Sequence, residues 1–317
     1  MHWNRGHFWN SGHFDVDRKL VVITGASQGL GLALAKKVFA KGASVVVVAR
    51  RERKLQDAVR ALEALRVNEN QTARYVCADL ASPAGAARVM EEIEAVPDHV
   101  LLCAGGATVK LLVDTTPEEL VEGININYGA SLYLAHAAMK AMSEVSPRPK
   151  YERTIMFCSS VTHYFPFIGY GPYAPLKSAL RTLADIMRQE LSPYNVSVPI
   201  VFAGNFQSEG FDKENLTKPT ITRVIEGPSA AIPADDCAAI ILKQLDNGTT
   251  MITTDLIGSL LGSLVLGGSP RSNYLLSVIM AIIFAIFTPL LQYFIVDRPI
   301  GQFFKGLKNN SPTKRND

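Results

Sequence analysis

Cysteine is scarce in this chain: four residues in 317, Cys77, Cys103, Cys158 and Cys237, without C-x-x-C spacing. That excludes a disulfide-built scaffold and a thiolate zinc site, and leaves buried free thiols in a reducing compartment. An excess of either charge is also missing, with 32 Lys and Arg against 29 Asp and Glu. No basic cluster is interleaved with aromatics, so no nucleic-acid partner is expected. Residues 1–19 lack the apolar stretch of a secretory signal. They read as a flexible polar arm, and His2, His7 and His13 in the near-repeat HWNRGHF/WNSGHF belong to it; no metal site is expected. An acidic residue is absent where the second apolar run ends, a point taken up below.

Long hydrophobic runs, by contrast, are present. Leu20–Ile23 leads into Thr24-Gly25-Ala26-Ser27-Gln28-Gly29-Leu30-Gly31, and a helical pattern follows at once. This is a strand, a glycine turn and a helix N-terminus. Glycines there let the backbone approach a pyrophosphate, whose charge the free N–H groups and helix dipole favour. The spacing is G-x-x-x-G-x-G, so Gly25, Ser27, Gln28, Gly29, Leu30 and Gly31 are the candidate cradle. Ser44–Ala49 (SVVVVA) reads as a strand buried on both faces, and Arg50 and Arg51 follow it directly. Where an NAD-binding protein places an acid for the ribose hydroxyls, this chain offers Arg50, with Ser27, Arg51 and Lys54 nearby. That set suits a 2′-phosphate, hence NADPH.

Further on, Ser160 stands thirteen residues before Tyr173, and Lys177 four residues after it. Tyr173 and Lys177 at i and i+4 are expected on one helix face, where the ammonium would draw the phenol's pKa down from about 10. A tyrosine so placed can protonate a carbonyl oxygen, and Ser160 can donate a second hydrogen bond to it as charge develops. The chemistry indicated is ketone reduction by hydride.

The glycine turn and the Ser-Tyr-Lys spacing together, in this order, resemble the short-chain dehydrogenase/reductase family. The resemblance covers about Leu20 to Thr254. It implies an α/β, Rossmann-type doubly wound parallel sheet of about seven strands with helices on both faces, a nicotinamide cofactor, and an Asn-Ser-Tyr-Lys site at Asn127, Ser160, Tyr173 and Lys177. Asn127, in Ile126-Asn127-Tyr128-Gly129 on the helix after the fourth strand, would hold a water in the proton relay. Asp79, with Leu80, is expected beside the adenine, though a helix cap is an equal reading for Asp79. Ala104 and Gly105 fall in the strand-end motif. Two positions depart from the family pattern: Leu102-Cys103-Ala104-Gly105 stands for Asn-Asn-Ala-Gly, and Pro175-Leu176 precedes the lysine. By analogy with the family a homo-oligomer is possible.

The remaining strands are expected at Arg74–Cys77, His99–Cys103, Thr154–Cys158, Ser197–Phe202 and Thr250–Thr254, with a helix over 52–68. One reductase domain then fills 20–255. Gly204–Pro228 reads as a long mobile loop serving as a substrate lid. Its Lys213, Lys218 and Arg223 keep a coenzyme A ester open as substrate. Beyond Asp255, Leu256–Pro270 is uncharged, Arg271 interrupts, and Tyr274–Val296 is uncharged for 23 residues. As a helix the second run would extend about 34 Å, against a hydrocarbon core of about 30 Å. Residues 256–296 therefore read as C-terminal hydrophobic membrane-associated helices, and 297–317 as a basic polar tail (Arg298, Lys305, Lys308, Lys314 and Arg315 against Asp297 and Asp317). A hairpin, or an in-plane helix broken at Pro289, would keep tail and catalytic domain together in the cytosol. A membrane-held reductase implies a long-chain lipid ketone as substrate. Steroid or retinoid ketones are the alternative, and a non-catalytic membrane-associated nucleotide-binding protein is a third reading.

Overall fold

The structure, a computed structural model, describes residues 14–228, 231–265 and 273–310. Its first half alternates strand and helix: β1 (Leu20–Thr24), α1 (Gly29–Phe39), β2 (Ser44–Ala49), α2 (Glu52–Glu63), β3 (Ala73–Cys77), α3 (Pro83–Ile93) and β4 (His99–Leu102). Then come α4 (Pro117–Ile124), α5 (Ala130–Ser143), β5 (Arg153–Ser160), α6 (Ala174–Leu191), β6 (Val196–Ser197), β7 (Ile200–Ala203), α7 (Glu209–Thr217), α8 (Thr220–Glu226), α9 (Ala234–Asp246) and β8 (Met251–Thr253). Three helices close the chain: α10 (Leu256–Leu264), α11 (Tyr274–Leu291) and α12 (Arg298–Asn310).

The strands form one parallel sheet in the order β3-β2-β1-β4-β5-β7-β8, with β6 paired to β5. The sheet is covered on both faces, which is why its strands are apolar without alternation. Successive side chains point to opposite faces: Val21, Ile23, Val45 and Val47 pack with α1, α2 and α9, whereas Val22, Val46 and Val48 pack with α3, α5 and α6. The expected strand at 197–202 is split in two. Val196–Ser197 pairs with Arg153–Thr154 and Ile200–Ala203 with Phe157–Ser160, because Pro199 between them has no N–H to give a ladder.

Three expectations are corrected. The helix predicted over 52–68 ends at Glu63. The arm placed at 1–19 is packed from Phe14 onward: Phe14 and Val16 are buried, and the His99 ring nitrogen meets the Asp15 carbonyl at 2.9 Å. The remainder, with His2, His7 and His13, lies outside the described residues. Gly204–Pro228 is not a structureless loop but carries α7 and α8, the first capped by Ser208, whose hydroxyl accepts from Phe211 N at 3.1 Å.

At the C-terminus helix runs unbroken from Tyr274 to Gly306. Pro289 lies inside it and does not break it; a wide turn follows at Gln292–Asp297. Among the described residues this is the one helix long and apolar enough to cross a membrane. The nine residues of α10 reach only about 14 Å, so a hairpin of two full spans is not formed by them. Arg271, Lys314, Arg315 and Asp317 lie outside the described residues. Large apolar side chains along the long helix, among them Leu275, Ile282, Ile286 and Phe294, are more than half exposed.

Candidate active site

The catalytic and nucleotide-binding residues expected from the sequence sit at the C-terminal ends of β1, β2, β3, β4 and β5 or on the segments that follow them, the edge where parallel α/β sheets take their ligands. Gly25 turns the chain out of β1 at φ +64°, and a Cβ there would lie 2.8 Å from the Cys103 carbonyl. Only glycine lets β1 and β4 meet so closely. Thr24 Oγ1 accepts from Ala104 N at 3.0 Å and joins the same two strand ends. Helix α1 starts after Gln28 with no side-chain cap and no acid in its first turn. Its N–H groups are therefore free for an anion, and the cradle fits a dinucleotide pyrophosphate. The side chains of Leu30 and Leu80 are buried in the core, so each can serve a nucleotide only through its backbone.

At the phosphate end Arg50 is exposed and lines a cleft of about 450 Å³ with Asp79 and Asn125. Asp79 turns back on Ala81 N at 3.1 Å, and the cap of α3 is Ser82 instead. Arg51 and Lys54 both donate to Gln28 Oε1, and both pair with Glu209 at the start of α7. Glu209 had no signal in the sequence, because only the fold brings α7 over the glycine turn.

At the reaction end, Ser160 is the last residue of β5 and its Oγ accepts from Thr162 N at 3.2 Å. Tyr173 lies at the N-cap of α6 rather than within it, and its carbonyl accepts from Lys177 N at 3.2 Å. Pro175 falls in the first turn, where no N–H is needed, so this departure from the family pattern leaves α6 intact. Asn127 is buried in a wide turn, Asn125–Gly129, between α4 and α5. Its Oδ1 accepts from Gly106 N at 2.9 Å. A Cβ at Gly105 would stand 3.1 Å from Asn127 Oδ1 and 3.2 Å from Lys177 Nζ, so these two groups face one spot.

Lys177 is buried; its ammonium donates to the Cys158 carbonyl at 3.0 Å and stands 5.4 Å from the Tyr173 ring centre. Burial lowers its pKa, opposed by Cys158 and Cys103. The expectation that Lys177 draws the phenol's pKa down is not met. Burial raises Tyr173, with the charges of Cys158 and Glu214 adding to it, and a hydrogen bond from Ser160 acts the other way. The first cause is burial of the phenol, while the ammonium donates to a backbone carbonyl. Tyr173 is therefore a protonated acid at neutral pH, the form that a proton donor requires.

Sequence reasoning missed the cluster beside it. Tyr170 donates to Glu214 Oε1 at 2.5 Å; Lys218 pairs with Glu214 at 3.0 Å and Glu226 at 2.5 Å; Asn205 donates to Glu226 at 2.8 Å. Lys218 is thus buried between carboxylates and Arg223 holds the carbonyls of Lys218 and Asn215. These two bases are committed within 204–228, so of the three on which the coenzyme A reading leaned only Lys213, exposed on α7, is left. Helix α10 also approaches the site: a Cβ at Gly258 would meet Val161 at 2.9 Å and one at Gly262 the Tyr164 ring at 3.2 Å. Among the described residues no group of His, Cys, Asp or Glu could hold a metal ion.

A parallel sheet in this order, with Asn127, Ser160, Tyr173 and Lys177 gathered at its carboxyl edge, defines a dehydrogenase of the Rossmann class. The chain belongs to the short-chain dehydrogenase family, whose pattern matches residues 19–219. It is 44% identical to 3-ketodihydrosphingosine reductase TSC10 of Yarrowia lipolytica, over 92% of this chain and 79% of that one. It is 43% identical to the protein of the same name in Debaryomyces hansenii, over 90% of each. Among solved structures, a short-chain type dehydrogenase/reductase from Mycobacterium ulcerans matches with TM-score 0.65 at 20% identity, covering 76% of this chain and 89% of that one. A short-chain dehydrogenase from Burkholderia cenocepacia, solved in complex with NADP, matches with TM-score 0.61 at 23% identity, covering 75% and 96%.

Proposed function

We propose that the protein reduces the keto group of 3-ketodihydrosphingosine to the alcohol, dihydrosphingosine, with NADPH as reductant and at a membrane surface. The observation that carries this reading is the 44% and 43% identity, over nearly the whole chain, to proteins named for that reaction. The glycine turn and Arg50 would hold NADPH, which would supply the hydride to the carbonyl carbon. Tyr173 donates the proton to the developing alkoxide, and its raised pKa keeps that proton in place until the oxygen becomes the stronger base. Ser160 donates a second hydrogen bond to the same oxygen. Lys177 contributes positive charge, and Asn127 holds the relay water on the side where both groups converge.

Apolar packing supports a long-chain substrate. Val109, Tyr170 and Ala174 beside Tyr173 are joined through Phe167 to a second cluster of Ile221, Ile225 and Val296. The second cluster includes α8 of the lid and the C-terminal helix, so apolar packing is continuous from the site to that helix. Incubating the protein with NADPH and long-chain ketones, and following nicotinamide absorbance, tests the reading: 3-ketodihydrosphingosine should be consumed fastest. Preference for a ketosteroid, or turnover of none, would overturn it.

Arg50 reads the 2′-phosphate. An ionised pair to phosphate is stronger than a neutral hydrogen bond, and a carboxylate there repels it. Arg50→Asp should therefore raise the NADPH dissociation constant about 30-fold or more and erase or invert the preference over NADH. Titration with both nucleotides checks this; equal losses for both would remove Arg50 from the role.

The long apolar helix anchors the domain to the endoplasmic reticulum membrane from the cytosolic side. Its two ends return to the domain, α11 against α10 and α12 against α8, which favours an unbroken helix lying in the plane of one bilayer face. Protease added outside sealed vesicles should then cut both the lid and the tail at 311–317, and the sequons at Asn70, Asn195, Asn215 and Asn247 should stay unglycosylated. A protected tail or a glycan would refute the same-side arrangement. Because α10 packs on the Ser160 turn, an informative truncation ends after Val265 rather than at Asp255.

A further inference from the structure

The lid holds a buried charge cluster that the reaction described so far does not use. Lys218 carries one positive charge between the carboxylates of Glu214 and Glu226, which leaves the group one negative charge in excess. Arg223, the other base at this place, is exposed and bound to backbone carbonyls. The Glu214 side chain is 11% exposed, and both of its contacts, from the Tyr170 hydroxyl and Lys218, fall on Oε1. Its Oε2 accepts no hydrogen bond among the described residues. That oxygen is not sealed from solvent, so it stands open to a cationic ligand.

Position sharpens the point. Tyr170, which holds Glu214, is three residues before Tyr173, and the two rings stand 6.2 Å apart. The charge of Glu214 reaches the Tyr173 phenol and raises its pKa, whereas Glu226 acts on Tyr170 only. An anion that makes the proton donor a weaker acid works against catalysis unless a cation joins it during turnover. The ketone of a sphingoid base brings one: its C2 bears an amine, one bond from the C3 carbonyl carbon. With the carbonyl oxygen on Tyr173 and Ser160, that nitrogen lies within a few ångströms of the phenol.

We propose that Glu214 is the specificity-determining residue of the reductase, receiving the substrate's C2 ammonium while Tyr173 and Ser160 hold the C3 carbonyl. The assignment rests on the substrate reading given above. Binding restores charge balance to the lid cluster and relieves the field that opposes proton donation by Tyr173. A ketone without the amine brings no cation to Glu214 and leaves its field on Tyr173 in place, a mismatch that disfavours the analogue. The lid thus selects amino ketones over plain long-chain ketones of equal length.

The test compares kcat/KM for 3-ketodihydrosphingosine and for its desamino analogue, the 1-hydroxy-3-ketone of the same length, in wild type, Glu214→Gln and Glu226→Gln. Glutamine keeps the shape and the Tyr170 hydrogen bond at position 214 but removes the charge. In E214Q the amino-to-desamino ratio should fall about 50-fold, carried by the amino ketone. E226Q removes an equal charge from the same lysine farther from Tyr173, and should keep the wild-type ratio within about threefold, as expected for a group without a direct contact. A ratio that survives in E214Q, or that collapses equally in E226Q, overturns the assignment alone. Wild-type protein that reduces the desamino ketone but not the amino ketone overturns the substrate reading, and Glu214's role with it.

Discussion

Tyr173→Phe is expected to lower turnover by about a thousandfold or more while leaving the NADPH dissociation constant within about twofold of wild type, since a positioned general acid contributes roughly 10²–10⁴. The phenol is placed beside Ser160 at the end of β5, and burial pushes its pKa up, toward the protonated form. Phenylalanine fills the same space, keeps the ring contact with Tyr170, and removes only the proton and its hydrogen bond. The glycine turn and Arg50, which would carry cofactor affinity, lie on β1 and β2 and are untouched. Single-turnover NADPH oxidation together with fluorescence titration of the nucleotide separates the two quantities. Near-normal turnover in this variant would remove Tyr173 from the reaction.

Lys177→Met should damage both quantities. Its ammonium is the buried positive charge on the catalytic helix, fixed on the Cys158 carbonyl and facing the same spot as Asn127. Methionine preserves the apolar stem but leaves that carbonyl without its donor and the site without its cation. Turnover is expected to fall about 10²–10³-fold, the cost of removing one preorganised electrostatic contact, and NADPH to bind about tenfold more weakly. The contrast with Tyr173→Phe is the informative part: one variant loses chemistry alone, the other chemistry and cofactor. Circular dichroism shows whether the variant is folded. Unchanged NADPH affinity in a folded Lys177→Met protein would confine the lysine to the proton-transfer side of the site.

Much of this was readable along the chain because it depends on short-range pattern. Continuous apolar runs at 20–23, 44–49 and 154–158 announce strands covered on both faces, and Gly25 through Gly31 announces a turn that only glycine can make. The spacing of Ser160, Tyr173 and Lys177 places three groups whatever the details of the loops. Where the reading failed, a local signal was overridden or misleading. Pro199 cut a strand in two, while the glycines and prolines of 204–228 resembled a loop although Ser208 and Pro219 start helices there. Pro289 looked like a break, yet helix continues through it.

The sequence by itself determined the doubly wound sheet, the glycine turn, the Ser-Tyr-Lys spacing and the presence of an apolar C-terminal helix. Each follows from neighbours within a few turns or a single strand, where sterics and periodicity act directly. Only the tertiary structure decided that Lys177 is occupied by the Cys158 carbonyl and so does not acidify Tyr173, because that depends on how β5 and α6 lie against each other. The same holds for Glu209 over Arg51 and Lys54, for the ion cluster of Glu214, Lys218 and Glu226 at the catalytic tyrosine, and for α10 against the Ser160 turn. These contacts join segments far apart in sequence, and charge and burial take their effect from distances that no local pattern encodes.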